Sequence, residues 1–432
     1  MMKNGISKHL IFGYILVIIL CSIASSNVRA NAERTEYKFD FGQGKVASGY
    51  TQVVWETIYS QKLGYGFEPG SHIISINRHT ENELTGDLCT SSEPFYFSIK
   101  LPEGNYKVTI IFGDQKNESI TTVKAELRRL MLEKIKTEPG EYKTKTIIVN
   151  IRTPNISNGG QVSLKDREKT TEFLAWDDKL TLEFNDENPC ICAMEISKVD
   201  NIPVIYLLGD STVCDQPTEP WNSWGQMLPR FFKPEIAIAN HAESGESIRS
   251  SIAAGRIKKI MDIIKPGDYV FVQFGHNDMK NRAQNALAEY KSDYKKLVSD
   301  ICSKGAIPVL VTSMERKAGV NTNTLGNYPE TVRQVAKEED AILIDLNSMG
   351  KVLYKALGNN IDKAFQDGTH HNNFGSYELA KCIVEGIRQN IPDLAKYIVD
   401  DFSGFNPENP DSFVTFSIPA STINTSEMPV RN

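Results

Sequence analysis

Three separated segments of the chain carry the side chains that nucleophilic catalysis needs. The first contains Ser211, the second contains Asn277, and the third contains Asp367 and His370. A serine hydroxyl is a poor nucleophile unless a histidine takes its proton, and that histidine needs a carboxylate to fix its tautomer. We therefore predict an acyl-transfer site in which Ser211 attacks, His370 is the base and Asp367 orients the imidazole.

The tetrahedral intermediate of such a reaction needs hydrogen-bond donors that are already in place. We predict three donors to its oxyanion, namely the backbone amides of Ser211 and Gly245 and the side-chain amide of Asn277. Gly245 lies after a short apolar run at residues 236–239, and Asn277 lies after a second run at residues 269–274. Both runs have the composition of buried strands, so the donors are expected at the carboxyl edge of an α/β sheet, where such folds bind ligands.

Each residue of these segments also has a structural explanation. Ser211 could cap a following helix, which is a common use of serine. Asp210 is expected to hydrogen-bond within its turn, His276 to pack in a turn and Asp278 to brace a loop. Catalysis is the better interpretation of Ser211, because the other segments follow in the order that one reaction needs.

These segments resemble the conserved blocks of the SGNH (GDSL) hydrolases. In order along the chain they are Gly209-Asp210-Ser211, Gly245, Gly275-His276-Asn277-Asp278 and Asp367-Gly368-Thr369-His370. Within that superfamily, three further segments are similar to the rhamnogalacturonan acetylesterase branch: residues 224–228, 325–330 and 370–375. The resemblance extends over about residues 203–400. It implies a serine esterase that uses no metal ion and no other cofactor.

The resemblance also implies a substrate, an acetylated pectic rhamnogalacturonan from which an acetyl-enzyme mechanism removes acetyl groups. Two alternatives remain open. The same triad could act on acetylated xylan, on another acetylated glycan or on a lipid-type ester. A chain with an inactive hydrolase half would instead be a sugar-binding protein.

Recognition of a uronate carboxylate needs local cations, because the chain as a whole is acidic. We predict Arg249 and Arg316 as substrate contacts, with Lys280 and Lys317 as further candidates. His371 adjoins the expected base and is a candidate for the same role. Solvated surface charge is the alternative for each cation, and simple surface exposure is the alternative for His371.

The first 32 residues have the pattern of a secretory signal peptide. Lys3 and Lys8 precede an apolar run at residues 10–20, and small residues follow it. We therefore expect a secreted or periplasmic protein without stable membrane insertion. A retained membrane anchor and a lipoprotein attached through Cys21 are the alternatives.

The net charge excludes one class of partner. The formal net charge of the 432 residues is −6, and it becomes −9 when Lys3, Lys8 and Arg29 are removed with the signal. An acidic protein lacks the excess of basic side chains that attracts the phosphates of nucleic acid. The six cysteines after residue 32 lack zinc-ligand spacing with histidines, and we interpret them as buried free thiols rather than as a disulfide framework.

The pattern of the chain changes near residues 200–203. Residues 33–200 contain short runs with a period of two, which predict an antiparallel β-sandwich that resembles galactose-binding-like jelly rolls. In residues 201–400 apolar strands alternate with helical patterns, which predict a five-stranded parallel, flavodoxin-like α/β sheet with helices on both faces. Residues 401–432 are expected to form a tail on the surface.

This division predicts where function lies. Because Ser211 to His370 all fall in the second half, we expect the hydrolase half to carry the chemistry alone. The sandwich could bind sugar through Trp55, Tyr65 or Trp176, although core packing is the alternative for each of these rings.

Overall fold

The computed structural model describes Met1 and residues 34–422. Apart from Met1, the predicted signal peptide therefore lies outside the described residues, as do the last ten residues of the predicted tail. Within the described part, no helix is long and apolar enough to cross a membrane.

The first half of the described chain is a β-sandwich. Its strands are β1 (Glu36–Phe41), β2 (Thr51–Val53), β3 (Tyr65–Phe67), β4 (Ile74–Asn77), β5 (Asp87–Thr90), β6 (Phe95–Lys100), β7 (Gly104–Gly113), β8 (Ser119–Ala125), β9 (Arg129–Thr137), β10 (Tyr142–Ile151), β11 (Lys179–Asn185), β12 (Cys190–Ile191) and β13 (Ala193–Lys198). Two five-stranded sheets have the orders β10-β7-β13-β1-β2 and β3-β6-β11-β8-β9, and a small sheet has the order β12-β5-β4. The period-two pattern places alternate side chains such as Phe39, Phe41, Phe95 and Phe97 in the shared core. All pairs are antiparallel except β1 with β2.

The second half is built around a five-stranded parallel sheet. Its strands are β14 (Val204–Gly209), β16 (Ala237–Asn240), β17 (Tyr269–Gln273), β18 (Ile307–Val311) and β19 (Ile342–Ile344), in the order β16-β14-β17-β18-β19. This is the flavodoxin-like order, so the predicted fold class is confirmed. Two short segments, β15 (Trp221–Asn222) and β20 (His371–Asn372), form a separate antiparallel pair.

Helices cover both faces of this sheet. The described helices are α1 (Asp166–Lys169), α2 (Trp224–Met227), α3 (Ile248–Ala253), α4 (Arg256–Ile263), α5 (Ala286–Ser303), α6 (Tyr328–Glu338), α7 (Leu346–Leu357), α8 (Asn373–Asn390) and α9 (Pro392–Ala395). Ile205 and Leu207 of β14 pack in one core with α2, α7 and α8. Tyr206 and Leu208 pack in the other core with α4, α5 and α6. The alternation of side chains along a strand accounts for the two faces.

One predicted helix differs in the structure. The apolar spacing over residues 248–264 suggests a single helix, but the chain forms α3 and α4 there. Gly255 separates them with a φ of +79°, in the left-handed region that ends a right-handed helix.

Buried ion pairs join the two halves. Arg256 of α4 pairs with Glu168 of α1 at 2.5 Å, and neither side chain is exposed. Arg129 of the sandwich pairs with the buried Asp215 at 3.3 Å. Trp176 lies beneath Arg256 in the same region and is only 6% exposed, so it packs between the halves rather than presenting a ring to sugar.

The tail also connects the halves. Lys124 of the sandwich donates to the carbonyl oxygen of Pro419 at 2.6 Å, and Asn185 donates to that of Ala420 at 2.8 Å. The tail is therefore packed on the sandwich as far as it is described. The other two candidate sugar-stacking rings differ in exposure, since Trp55 is 48% exposed and Tyr65 is half-buried against Phe39.

The six described cysteines are free thiols. Five of them are buried, namely Cys89, Cys190, Cys192, Cys214 and Cys382. Cys302 differs because it is exposed near the end of α5.

The Arg256–Glu168 pair gives a prediction about stability. Glu168→Gln should lower the free energy of unfolding by about 3–5 kcal/mol, because it leaves Arg256 buried without its closest charge partner. Asp300→Asn, which breaks an exposed pair with Lys296, should cost less than about 1 kcal/mol. Urea unfolding followed by circular dichroism measures both variants. Equal effects would show that the buried pair contributes no more to the free energy of unfolding than an exposed pair does.

Candidate active site

Three loops meet at the carboxyl edge of the parallel sheet. Ser211 follows β14, Gly245 lies in the loop after β16, and Asn277 lies in the loop after β17. Strand β14 pairs with β16 on one side and with β17 on the other. Because parallel strands present their carboxyl ends at the same edge, Ser211 is flanked by the two loops that carry the other predicted donors.

A hydrogen-bonded line connects the predicted triad. His370 Nε2 lies 2.9 Å from Ser211 Oγ, and His370 Nδ1 lies 2.7 Å from Asp367 Oδ2. A carboxylate only accepts hydrogen bonds, so Nδ1 carries the proton of a neutral ring and Nε2 is left to accept from the serine hydroxyl. This arrangement has the parts for proton transfer from Ser211 to His370.

Asp367 is held in its ionised form by the turn that contains it. Its Oδ1 accepts from the backbone amides of Thr369 and His370, each at 2.7 Å. Partial burial opposes ionisation, but these hydrogen bonds and the one to the His370 ring outweigh it and lower the pKa of Asp367 to about 2. Asp367 is therefore a carboxylate throughout the neutral range.

A buried polar layer supports Ser211. Asp210 accepts from the amide and the hydroxyl of Thr212, at 3.0 and 2.8 Å, and lies 3.2 Å from Nδ1 of His276. Burial would raise the pKa of Asp210, but His276 and the Thr212 donors lower it. Gln273 donates to the Thr212 hydroxyl at 2.7 Å and accepts from the Trp224 indole at 2.9 Å.

The same layer decides between the interpretations of Ser211. Residues 211–213 form a turn, and the next helix, α2, begins only at Trp224. Ser211 thus caps no helix, and its hydroxyl faces His370. The structural roles expected for Asp210 and His276 agree with their buried contacts. Asp278 accepts from the amide of Ile248 at 3.0 Å and so braces the start of α3.

The predicted oxyanion donors are available. Within residues 34–422, neither the Ser211 amide nor the Gly245 amide has a protein acceptor within hydrogen-bond distance. The side-chain nitrogen of Asn277 donates one hydrogen to the carbonyl of Glu246 at 3.0 Å and keeps its second hydrogen. Lys280 donates to the Asn277 oxygen at 2.6 Å, which fixes the orientation of the amide group. Gly245 has a φ of +78°, a conformation that favours glycine.

His371, one of the predicted substrate contacts, lies in the core rather than at the surface of the site. His371 is buried and lies 2.9 Å from the hydroxyl of Tyr354, so the structure does not bring it to the site surface. Burial lowers the pKa of His371 to about 3. Successive side chains of an extended segment point in opposite directions, which explains why His370 faces Ser211 and His371 faces the core.

The cations differ in whether acidic side chains neutralise them. Arg249 contacts Asp293 and Glu289, each at 2.7 Å, and is therefore compensated on α5. Lys317 pairs with Asp362 at 2.7 Å.

Arg316 lies beside the Asn277 loop and contacts carbonyl oxygens. It donates to the carbonyl oxygens of His276 and Thr324, each at 3.2 Å. Within the described chain, neither Arg316 nor Lys280 has a carboxylate partner within 4.0 Å.

Some residues of the site were missed by the sequence interpretation. The sequence does mark Gln273, because it is a polar residue inside an otherwise apolar strand and such a residue needs buried hydrogen-bond partners. The sequence does not mark Lys165 and Arg167, since they lie in the β-sandwich half yet contact the carbonyl of Ser244.

In the part of the chain that the structure describes, no group of three or more His, Cys, Asp or Glu side chains is arranged to hold a metal ion.

Comparison with known proteins relates both halves to characterised sequence families. Residues 207–376 match the GDSL-like lipase/acylhydrolase family. Residues 37–132 match the galactose-binding domain-like family of beta-agarase/YXIM esterase-like proteins.

Several relatives come from Bacillus subtilis strain 168. Rhamnogalacturonan acetylesterase RhgT is 35% identical over 207 residues, which are 43% of this chain and 89% of the relative. The probable rhamnogalacturonan acetylesterase YesY is 32% identical over 212 residues, 46% of this chain and 98% of the relative. The uncharacterized esterase YxiM is 27% identical over 398 residues, 87% of this chain and 96% of the relative, so that its likeness extends over both halves.

The sequence matches and the parallel sheet lead to the same assignment. The chain belongs to the GDSL-like lipase/acylhydrolase family and is a carboxylic-ester hydrolase with an N-terminal galactose-binding-like domain.

Proposed function

We propose that this chain is a secreted carbohydrate O-acetylesterase that removes acetyl groups from pectic rhamnogalacturonan. The observation that carries the proposal is the line of hydrogen bonds from Asp367 through His370 to Ser211. The signal-peptide pattern supports secretion, and the names of RhgT and YesY support an acetylated rhamnogalacturonan as substrate.

The reaction begins when Ser211 Oγ attacks the acetyl carbonyl carbon. His370 takes the hydroxyl proton, and the carbonyl oxygen becomes an oxyanion. The tetrahedral intermediate collapses to an acetyl-enzyme, and His370 returns the proton to the departing sugar oxygen. A water molecule then attacks the acetyl carbon, with His370 as base. The bond between that carbon and Ser211 Oγ breaks, His370 returns the proton to Ser211, and acetate leaves. Asp367 keeps the imidazole in the required tautomer throughout.

The oxyanion is stabilised by the amides of Ser211 and Gly245 and by the second side-chain hydrogen of Asn277. Their availability supports this role, because a donor that already has a protein acceptor would have to break that bond first. Donors fixed before the reaction need no reorganisation in the transition state, which is why they lower the barrier.

The positions of Lys280 and Arg316 support the proposal that the substrate is a polyanion. Both lie at the Asn277 side of the site, and neither is neutralised by a carboxylate of the described chain. An acidic protein repels a uronate polymer in general, so binding needs uncompensated cations close to the reacting ester. Arg249 does not meet this requirement, because Asp293 and Glu289 compensate it.

The nucleophile is tested by Ser211→Ala. We expect turnover of an aryl acetate to fall by about 10⁴-fold or more, the usual scale for loss of a triad member. Ser303→Ala, which changes an exposed serine at the end of α5, should leave turnover unchanged. A serine-directed phosphonate should label Ser211 in the unaltered protein, as seen by peptide mass spectrometry. Near-normal turnover of Ser211→Ala, with its circular dichroism unaltered, would refute the mechanism.

The oxyanion role of the side-chain donor is tested by Asn277→Ala. We expect kcat to fall by about 10²–10³-fold, while KM changes little, because the negative charge develops mainly in the transition state. Asn281→Ala changes an exposed asparagine of the same segment and serves as the control. A variant that loses only apparent affinity would assign Asn277 to substrate positioning instead.

The substrate class is tested by acetate release from acetylated rhamnogalacturonan, acetylated xylan and an aryl acetate. Arg316→Gln should lower kcat/KM on rhamnogalacturonan by about tenfold or more, the scale of a lost hydrogen bond to a charged group. An acetylated xylan without uronic acid side groups and the aryl acetate carry no carboxylate, so both should be little affected. Arg249→Gln is the matched control. Faster release from xylan by the unaltered protein would favour the hemicellulose alternative, and no release from any substrate would favour a sugar-binding protein.

A further inference from the structure

Two cations of the β-sandwich half hold one peptide unit of the hydrolase half. Lys165 Nζ donates to the carbonyl oxygen of Ser244 at 2.6 Å, and Nη2 of Arg167 donates to the same oxygen. Lys165 immediately precedes α1 and Arg167 lies within it, in the segment between β10 and β11. The carbonyl oxygen of Ser244 belongs to the peptide unit whose nitrogen is the amide of Gly245.

The geometry of a peptide makes this contact relevant to catalysis. In a trans peptide the C=O and the N–H point in opposite directions. Donors that hold the Ser244 oxygen on the sandwich side therefore direct the Gly245 N–H to the other side of the loop. Two positive charges on the oxygen also polarise the peptide, which strengthens its N–H as a donor.

Other contacts fix the loop on both sides of this peptide. The hydroxyl of Ser244 lies 3.4 Å from the side-chain nitrogen of Gln216, which donates to the carbonyl of Ser211 at 2.6 Å. The carbonyl of Glu246 accepts from Asn277. The loop is thus linked through Gln216 to Ser211 and directly to Asn277. The free amide of Gly245 lies between these two contacts.

The loop needs such support because Gly245 has little intrinsic restraint. It is exposed and has a φ of +78°, and glycine adopts conformations on either side of φ zero with similar ease. Without donors on the Ser244 oxygen, rotation of the peptide could exchange the N–H for the carbonyl at the oxyanion position. A carbonyl oxygen there would repel the negative charge that develops in the reaction.

The carboxylates around the two cations show that the cations serve the loop rather than the substrate. Arg167 Nε lies 2.8 Å from Oε1 of Glu243, and Lys165 Nζ lies 2.5 Å from Oε1 of Glu246. Both cations are thereby neutralised by carboxylates of the same loop. This differs from Arg316 and Lys280, which lack carboxylate partners in the described chain.

We propose that Lys165 and Arg167 are positioning residues that direct the Gly245 amide into the oxyanion hole, so that the galactose-binding-like half completes the active site of the hydrolase half. The inference rests on the proposed oxyanion role of Gly245. It replaces the expectation that the hydrolase half carries the chemistry alone, because that half lacks both donors to the Ser244 oxygen.

The first test is the variant Lys165→Met/Arg167→Met in the full chain. We expect kcat on an aryl acetate to fall by about 10- to 100-fold with KM changed less than about twofold, since a misplaced donor loses part of the 10²–10³-fold effect of a missing one. Phenylboronic acid, whose tetrahedral adduct with Ser211 carries an oxygen at the oxyanion position, should bind more weakly by a similar factor. Lys165→Arg should retain most of kcat, because it can still donate.

A charge-balanced variant separates positioning from simple stabilisation. Lys165→Met/Glu246→Gln removes a cation together with its carboxylate, so the melting temperature should recover relative to Lys165→Met alone. We expect kcat and boronate affinity to stay at the lowered level of Lys165→Met, because one of the two donors to the Ser244 oxygen is still missing and only Arg167 remains. Lys169→Met removes an exposed cation of the same helix and should change neither quantity.

Three outcomes would overturn the inference. They are an unchanged kcat in folded Lys165→Met/Arg167→Met, a rise in KM alone, and recovery of kcat together with melting temperature in the charge-balanced variant. None of these outcomes contradicts the proposed function, which Ser211→Ala and Asn277→Ala test separately.

Discussion

The pairing of β14 with β16 on one side and β17 on the other determines where the groups of the site can lie. Each strand ends at the same edge of the sheet, so the loops that carry Ser211, Gly245 and Asn277 are neighbours. A different strand order would separate them by about 5 Å for each intervening strand. His370 reaches this edge from the other end of the chain, on the loop that leads through β20 into α8.

Charge burial is the second feature on which the structure depends. Arg256 and Glu168 are both fully buried between the halves, and Arg129 pairs there with Asp215. A buried charge without its partner is strongly destabilising. The two halves are therefore stable together only in an arrangement that keeps these pairs. The same contact region brings Lys165 to the Ser244 carbonyl. The interface that joins the halves therefore also holds the loop that contains Gly245.

Local patterns predicted most of the fold, and the residue types suited to nucleophilic catalysis indicated Ser211, Asp367 and His370. Apolar runs that precede small and polar residues identified β16 and β17, because a strand buried on both faces needs apolar side chains throughout. Period-two alternation identified the sandwich strands for a related reason. The residues Ser211, Asp367 and His370 were recognisable because the chemistry restricts which side chains can serve, and the structure brings the three within hydrogen-bond distance.

Other properties were decided only by contacts between distant parts of the chain. The sequence indicated that Arg249 and Arg316 are cations, but only folding placed Asp293 beside Arg249 and left Arg316 without a carboxylate partner among residues 34–422. Similarly, nothing in its neighbours along the chain connects Lys165 with Ser244, 79 residues away. Hydrophobic periodicity reports which face of an element is buried, whereas the charge balance of a side chain depends on which elements pack together. The sequence alone thus determined the strands and the type of chemistry, and the tertiary structure decided which cations are neutralised by carboxylates and which contact the Ser244 carbonyl.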